Sequence, residues 1–178
     1  MSETEQEQKR LGTGMFIVGW LGFLALIGFW FSDLLEEQRN PNQALSTQYS
    51  DGAREVLLQR NRFGHYVTSG KINGEDVTFM LDTGATTIAV PSHIASALDL
   101  SLGQRFMTQT ANGTAAAYAT RLDTVSIDGI VLENVEAAVT PGLKSEEILL
   151  GMSFLRNIEF TQRGDTLLLR QYAPPPDR

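Results

Sequence analysis

The sequence puts one carboxylate where proton chemistry is feasible. In Val77-Thr78-Phe79-Met80-Leu81-Asp82-Thr83-Gly84-Ala85-Thr86 an apolar run delivers Asp82 straight into Thr83, Gly84 and Ala85, with no helix signal after it. That pattern predicts a buried strand ending in a tight turn, with the acid at the junction. An isolated charge is costly to bury, so an aspartate directly after Phe79, Met80 and Leu81 implies either a paired group or a role that uses an altered pKa. Gly84 is expected to free the backbone for a sharp reversal, and the short side chains of Thr83 and Ala85 leave room beside the acid. The chain also holds partial copies of the pattern. Leu122-Asp123-Thr124 runs into Val125, and Asp165-Thr166 runs into Leu167, so neither has glycine where the turn needs it. Asp123 is therefore expected on a surface strand or turn, and Asp82 alone carries the whole pattern.

The elements that must position Asp82 read as strands and turns, an all-β domain with one or two short helices. Residues 63–72 and 75–81 flank Asn73-Gly74, the strongest two-residue hairpin signal. The second of these strands delivers the acid. After Ile88-Ala89-Val90-Pro91 a short helix is predicted over 92–98. Strands over 105–110 and 114–120 are joined by the small tip Ala111-Asn112-Gly113, and strands over 122–127 and 130–139 turn at Asp128-Gly129. Pro141-Gly142 breaks the chain before the apolar Ile148-Leu149-Leu150-Gly151, a short helix over 152–157, and strands over 158–160 and 166–170. Three consecutive prolines in 173–178 end the folding, so that segment reads as a disordered tail.

Ahead of this domain, residues 11–31 carry no charge, a length that spans the roughly 30 Å hydrocarbon core of a bilayer as a helix. A secretory h-region is shorter and ends in small residues, whereas Phe29-Trp30-Phe31-Ser32-Asp33 offers no such cleavage site, so an uncleaved anchor is expected. Lys9 and Arg10 abut its amino end while Asp33, Glu36 and Glu37 follow its other end, which predicts a cytoplasmic tail over 1–10 and an extracytoplasmic domain. In a Gram-negative cell that means a single pass through the inner membrane with the domain in the periplasm. Residues 32–60, rich in Gln, Asn, Ser and charge, read as a linker, and anchoring in one plane would raise the effective concentration of the domain over 61–172.

Strand, Asp-Thr-Gly turn, strand, helix, hairpin, then Leu149-Leu150-Gly151 and a short helix resembles a protomer of the retropepsin-like aspartic proteases, retroviral in type and here of a bacterial, membrane-anchored kind. The resemblance covers residues 63–172 and implies a single closed β-barrel domain. It makes Asp82 the catalytic residue on the active-site turn Thr83, Gly84 and Ala85. It makes Ala111, Asn112 and Gly113 the tip of a flap over the substrate, and Leu149, Leu150 and Gly151 a second loop beside the turn. It further implies a hydroxyl contact of Thr83 between two such turns, an extended peptide as substrate, and no metal or cofactor. Retroviral members carry an acidic residue after the alanine, where this chain has Thr86.

Hydrolysis of this type needs two carboxylates close together, one protonated and one ionised, which share a proton and titrate as a unit. With 178 residues the chain is too short for two lobes each carrying an active Asp, and it has one complete turn, so the second acid must come from an identical subunit across a two-fold axis. Because the amino end leads to the membrane, residues 166–172 are expected to carry much of that homodimer contact. Apolar residues near Ile88 and Leu149 are expected to help wall the cleft.

Other chemistries find less support. A net charge of −7 offers no basic stripe for nucleic acid, and with no cysteine there is no thiolate site. His65 and His93 lack ligand partners at metal spacing, and no Gly-x-Ser-x-Gly or His-Glu-x-x-His motif occurs. One alternative is a catalytically inactive, membrane-tethered β-domain that binds peptides or proteins, with Asp82 only capping its turn. Another is a glycosidase pairing Asp82 with Glu146 or Glu147 within one chain.

Overall fold

Pro41 fixes where the first element ends. The computed structural model, which describes residues 3–110 and 113–172, opens with helix α1, Glu3–Arg39. The residue before a proline is driven out of the helical region, so the helix stops just short of Asn40. No breaker occurs earlier, and α1 therefore takes in residues read as tail and linker as well as the apolar run. Every side chain from 14 to 32 is exposed, apolar ones included. The segment Gly14–Arg39, with mean hydropathy 2.0, is by length and composition able to cross a membrane, a test that an amino-terminal signal sequence also passes. The chain divides into two compact units, Met1–Gln38 and Arg39–Arg178.

The second unit is mostly β. In chain order it contains β1 (Gln48–Ser50), β2 (Ala53–Gln59), β3 (Val67–Ile72), β4 (Glu75–Leu81), β5 (Ile88–Pro91), α2 (Ser92–Ala97), β6 (Arg105–Thr110), β7 (Gly113–Ile127), β8 (Ile130–Thr140), β9 (Ile148–Leu150), α3 (Met152–Leu155), β10 (Glu159–Arg163) and β11 (Thr166–Tyr172). The larger sheet runs β3-β4-β9-β5-β8-β7-β6, and β3 pairs again with β7 through Lys71↔Ser126 and Ile72↔Val125. That pairing closes the sheet into the expected barrel and leaves β6 as an overhanging edge bonded to β7. Inside lie Ile72, Phe79, Ile88, Leu122, Ile148 and Phe154, all fully buried. Burying each such side chain contributes roughly 1.5–3 kcal/mol.

The smaller sheet, β1-β2-β11-β10, overturns two expectations. From Arg39 onward the presumed linker is folded: β2 pairs along its whole length with β11, and Ala53, Val56 and Leu58 are buried. Asparagines lock the segment down. The buried Asn42 amide donates to Val67 O at 2.6 Å and Gln59 O at 2.9 Å, while its Oδ1 accepts from Gln59 N at 2.7 Å. Asn61 Nδ2 reaches back to Arg39 O at 2.9 Å, and Thr47 Oγ1 accepts from Gly129 N at 2.8 Å. Polar residues that read as loop are instead satisfied inside the fold, as buried polar groups must be. The second correction concerns residues 166–172. As β11, residues 166–170 are flanked on both sides, by β2 and β10, and offer a partner no free backbone edge, while Gln171 and Tyr172 pair with β2 alone. The strands expected over 114–120 and 122–127 are one continuous strand, β7, because Arg121 and Leu122 stay in register with Glu136 and Val135.

Candidate active site

Strand β9 enters between the two strands that flank Asp82. It runs parallel to β4 through Phe79↔Ile148, Met80↔Leu149 and Leu81↔Leu150, and antiparallel to β5 through Ala89↔Leu149. The chain thus leaves β4 at Leu81, arches over the end of β9 in residues 82–87, and returns as β5. Hydrogen bonds fix the arch to the end of β9 and the start of α3. Asp82 N donates to Leu150 O at 3.2 Å, Met152 N to Ala85 O at 2.8 Å, and Ser153 N to Thr86 O at 3.0 Å. Gly151 sits in the crotch, where an added Cβ would lie 2.3 Å from Thr87 O and 2.6 Å from Ala85 O. Only glycine permits that approach.

The carboxylate itself is half-buried, with Thr83 and Gly84 exposed beside it, so the turn carries its acid to the surface rather than into the core. Asp82 Oδ1 accepts from Gly84 N at 2.8 Å, and Ala85 N donates to Asp82 O at 3.2 Å. Among the described residues no other donor is bonded to the carboxylate, which leaves Oδ2 open. Gly84 does not adopt positive φ. Its reason is space: a Cβ there would lie 3.1 Å from Asp82 Oδ1, against the oxygen that its own N–H orients.

The second-loop residues Leu149, Leu150 and Gly151 do lie beside the turn. Of the expected flap, Gly113 begins β7 at φ 102° and its carbonyl accepts from Thr110 Oγ1 at 2.7 Å, while Ala111 and Asn112 lie outside the described residues. Ile88 is not a cleft wall. It is fully buried, and its N–H donates to Ser153 Oγ at 3.0 Å. Ser153 is the supporting residue that the sequence reading missed. Buried itself, it bonds the returning end of the arch twice, its N–H donating to Thr86 O and its Oγ accepting from Ile88 N, and its carbonyl accepts from Asn157 Nδ2 at 2.8 Å. A small polar residue two places after the glycine of an apolar loop was the available signal.

Glu147, weighed as a second acid in the same chain, is engaged elsewhere. Its oxygens accept from Arg39 Nε and Ser145 Oγ, each at 2.6 Å. Burial pushes its pKa up, but the bonds from Arg39 and Ser145 outweigh this and hold it below the ordinary value. A carboxyl held ionised makes a poor general acid. Its neighbour Glu146 lies 3.6 Å from His93 Nε2.

The family model for gag-polyprotein putative aspartyl proteases matches residues 68–157, half of the chain, from β3 through the Asp82 arch to the end of α3. The chain belongs to the retropepsin-like aspartic protease family. Among solved structures of such proteases, a retropepsin-like aspartic protease from Rickettsia conorii is 32% identical, with a TM-score of 0.56 over 72% of this chain and 94% of that one. An uncharacterized protein in the cobV 5' region of a Sinorhizobium species is 34% identical over 93% of this chain and 77% of its own, a likeness that reaches into α1. An uncharacterized protein of Rickettsia prowazekii (strain Madrid E) is 32% identical over 71% of this chain and 55% of its own. In this retropepsin-like protein the barrel, the arch and the inserted β9 together form the candidate site.

Proposed function

We propose that the chain is a membrane-anchored aspartic endopeptidase whose active form is a homodimer, with Asp82 of each subunit forming the dyad. The observation that carries this reading is the arch: one carboxylate, oriented through Oδ1 by its own turn, open at Oδ2, and held by backbone bonds to the loop after β9. In a dyad the two acids share one proton. The ionised member takes a proton from a water as the water oxygen attacks the scissile carbonyl carbon, and the protonated member donates to the carbonyl oxygen. The tetrahedral intermediate then breaks its C–N bond as a proton passes to the departing amine. Thr83, exposed next to the acid, is the residue for a turn-to-turn contact. Ala111, Asn112 and Gly113, which follow β6 in the sequence, serve as the flap, and the exposed Phe106 and Met107 on β6 supply apolar surface for an extended peptide. Residues 11–31 anchor the protein in the inner membrane, residues 1–10 stay cytoplasmic, and the folded domain, from Arg39 to Tyr172, faces the periplasm.

Mixing tests the dyad. Full-length protein is reconstituted at constant total concentration with rising fractions of Asp82→Asn, and hydrolysis of a peptide library is followed. Hybrid dimers hold one acid, so activity should fall as the square of the wild-type fraction. A linear fall would sink the dyad.

A further inference from the structure

Among the described ion pairs, two keep the carboxylate mostly out of solvent. Glu55, its side chain 15% exposed, meets Arg170 across β2 and β11, where the strand register already brings the two together. Glu147, its side chain 14% exposed, meets Arg39 at 2.6 Å although the two lie 108 positions apart and neither belongs to a strand. Here the side chains themselves make the connection.

Arg39 comes to this pair from a fixed base. Its carbonyl accepts from Asn61 Nδ2 at 2.9 Å, and the next residue, the buried Asn40, donates from Nδ2 to Ser69 Oγ at 3.2 Å and accepts at Oδ1 from Asn42 N at 3.0 Å. Glu147 comes from a looser one. Residues 141–147 belong to no strand, and their hydrogen bonds include the local ones from Leu143 N to Thr140 O at 3.1 Å and from Glu147 N to Ser145 Oγ at 2.9 Å. Directly after Glu147 the chain becomes β9: Ile148 is fully buried, Leu150 O accepts from Asp82 N, and Gly151 lies beneath the arch. What happens to Glu147 is therefore passed on to the catalytic turn.

We infer that Arg39 is a positioning residue for Asp82: it holds Glu147 in place, and through Glu147 it sets where β9 meets the arch. Arg39 is also the last residue of Gly14–Arg39, the segment able to cross a membrane, so the end of the anchor and the support of the catalytic turn share one side chain. The inference rests on the dyad reading for its effect on rate. Its physical basis is the cost of a stranded charge: a sheltered carboxylate that loses its cation is expensive, whereas a neutral pair in the same place is not. Without the guanidinium, Glu147 turns out to water and draws Ile148 and the start of β9 with it.

The test uses full-length protein in detergent micelles and two measurements, peptide hydrolysis and amide hydrogen exchange. Arg39→Met should lower kcat about tenfold, inside the roughly 10²-fold that 1 Å of misplacement can cost, and leave KM within about twofold. Exchange at the amides of Asp82, Met152 and Ser153, which close the arch onto β9 and α3, should quicken about tenfold. Adding Glu147→Gln removes the stranded charge and should bring both readings back to within about threefold of wild type, a rescue that two independent losses would not give. Lys71→Met, which breaks the exposed Lys71–Asp76 pair of the same 2.6 Å length, should move neither. Unchanged exchange at the arch in Arg39→Met, or a double variant no better than the single one, would overturn the inference. Failure of the dyad would look different: wild-type hydrolysis would be no greater than that of Asp82→Asn, while the exchange difference persisted.

Discussion

Leu81-Asp82-Thr83 and Leu122-Asp123-Thr124 are the same tripeptide in two backbones. After Thr83 comes Gly84, the strand has already ended at Leu81, and the carboxylate receives the Gly84 N–H at 2.8 Å. After Thr124 comes Val125, fully buried, and β7 continues through Thr124↔Glu133 and Val125↔Leu132. Asp123 is left exposed on that strand, and among the described residues its carboxylate accepts no hydrogen bond. The difference teaches that the acid and its neighbours do not make a site. A following residue small enough to leave the strand, and a distant strand to arch over, make it.

The largest test of that contrast is on activity. Asp82→Asn should lower peptide hydrolysis by about 10²–10⁴-fold, the scale of positioned acid–base catalysis. Asp123→Asn should leave the initial rate on the same peptide unchanged. Comparable losses in both variants would dissolve the comparison. Next in size is the crossing itself. Gly151→Ala drives a methyl against Ala85 O and Thr87 O and should cost about 1–3 kcal/mol or more of stability, read from denaturant midpoints at unchanged m-value. An unaffected midpoint would mean that β9 does not pass so close beneath the arch.

A finer probe removes the support while keeping the crossing. Ser153→Ala leaves the buried Ile88 N–H without its acceptor and should destabilise by about 1–3 kcal/mol. Asp123→Ala, on the other copy of the tripeptide, should stay within about 0.5 kcal/mol. The smallest effect is in pH. The folded-state pKa of Glu147 is lowered from 4.5, so its contribution to stability is present above that value and is lost as pH falls through the folded-state pKa beneath it. Glu147→Gln should flatten the acid limb of the stability curve below 4.5, whereas Asp123→Asn gives the reference for a carboxylate outside any such network.

Much of the barrel was legible because its signals are local. Asn73-Gly74 and Asp128-Gly129 turn where expected, with Asn73 and Asp128 both at positive φ, and β4 delivers Asp82 as its apolar run predicts. The amino-terminal half of the smaller sheet was not legible. Val56-Leu57-Leu58 is too short to declare itself a strand, and its pairing residues, Leu169, Leu168 and Leu167, lie more than a hundred positions away. Asn42 hid for the same reason: a polar side chain reads as loop until the carbonyls of Gln59 and Val67 are brought to it.

What the residues determined unaided is one carboxylate at a strand end, a glycine two places on, and an apolar helix ahead of the domain, since each depends on neighbours along the chain. Only the fold decided that β9 threads between β4 and β5, that Gly151 must be bare because two carbonyls converge on it, and that β10 rather than β11 is the exposed edge. Those facts depend on which distant backbones compete for the same space and the same hydrogen bonds, and no stretch of sequence contains both competitors.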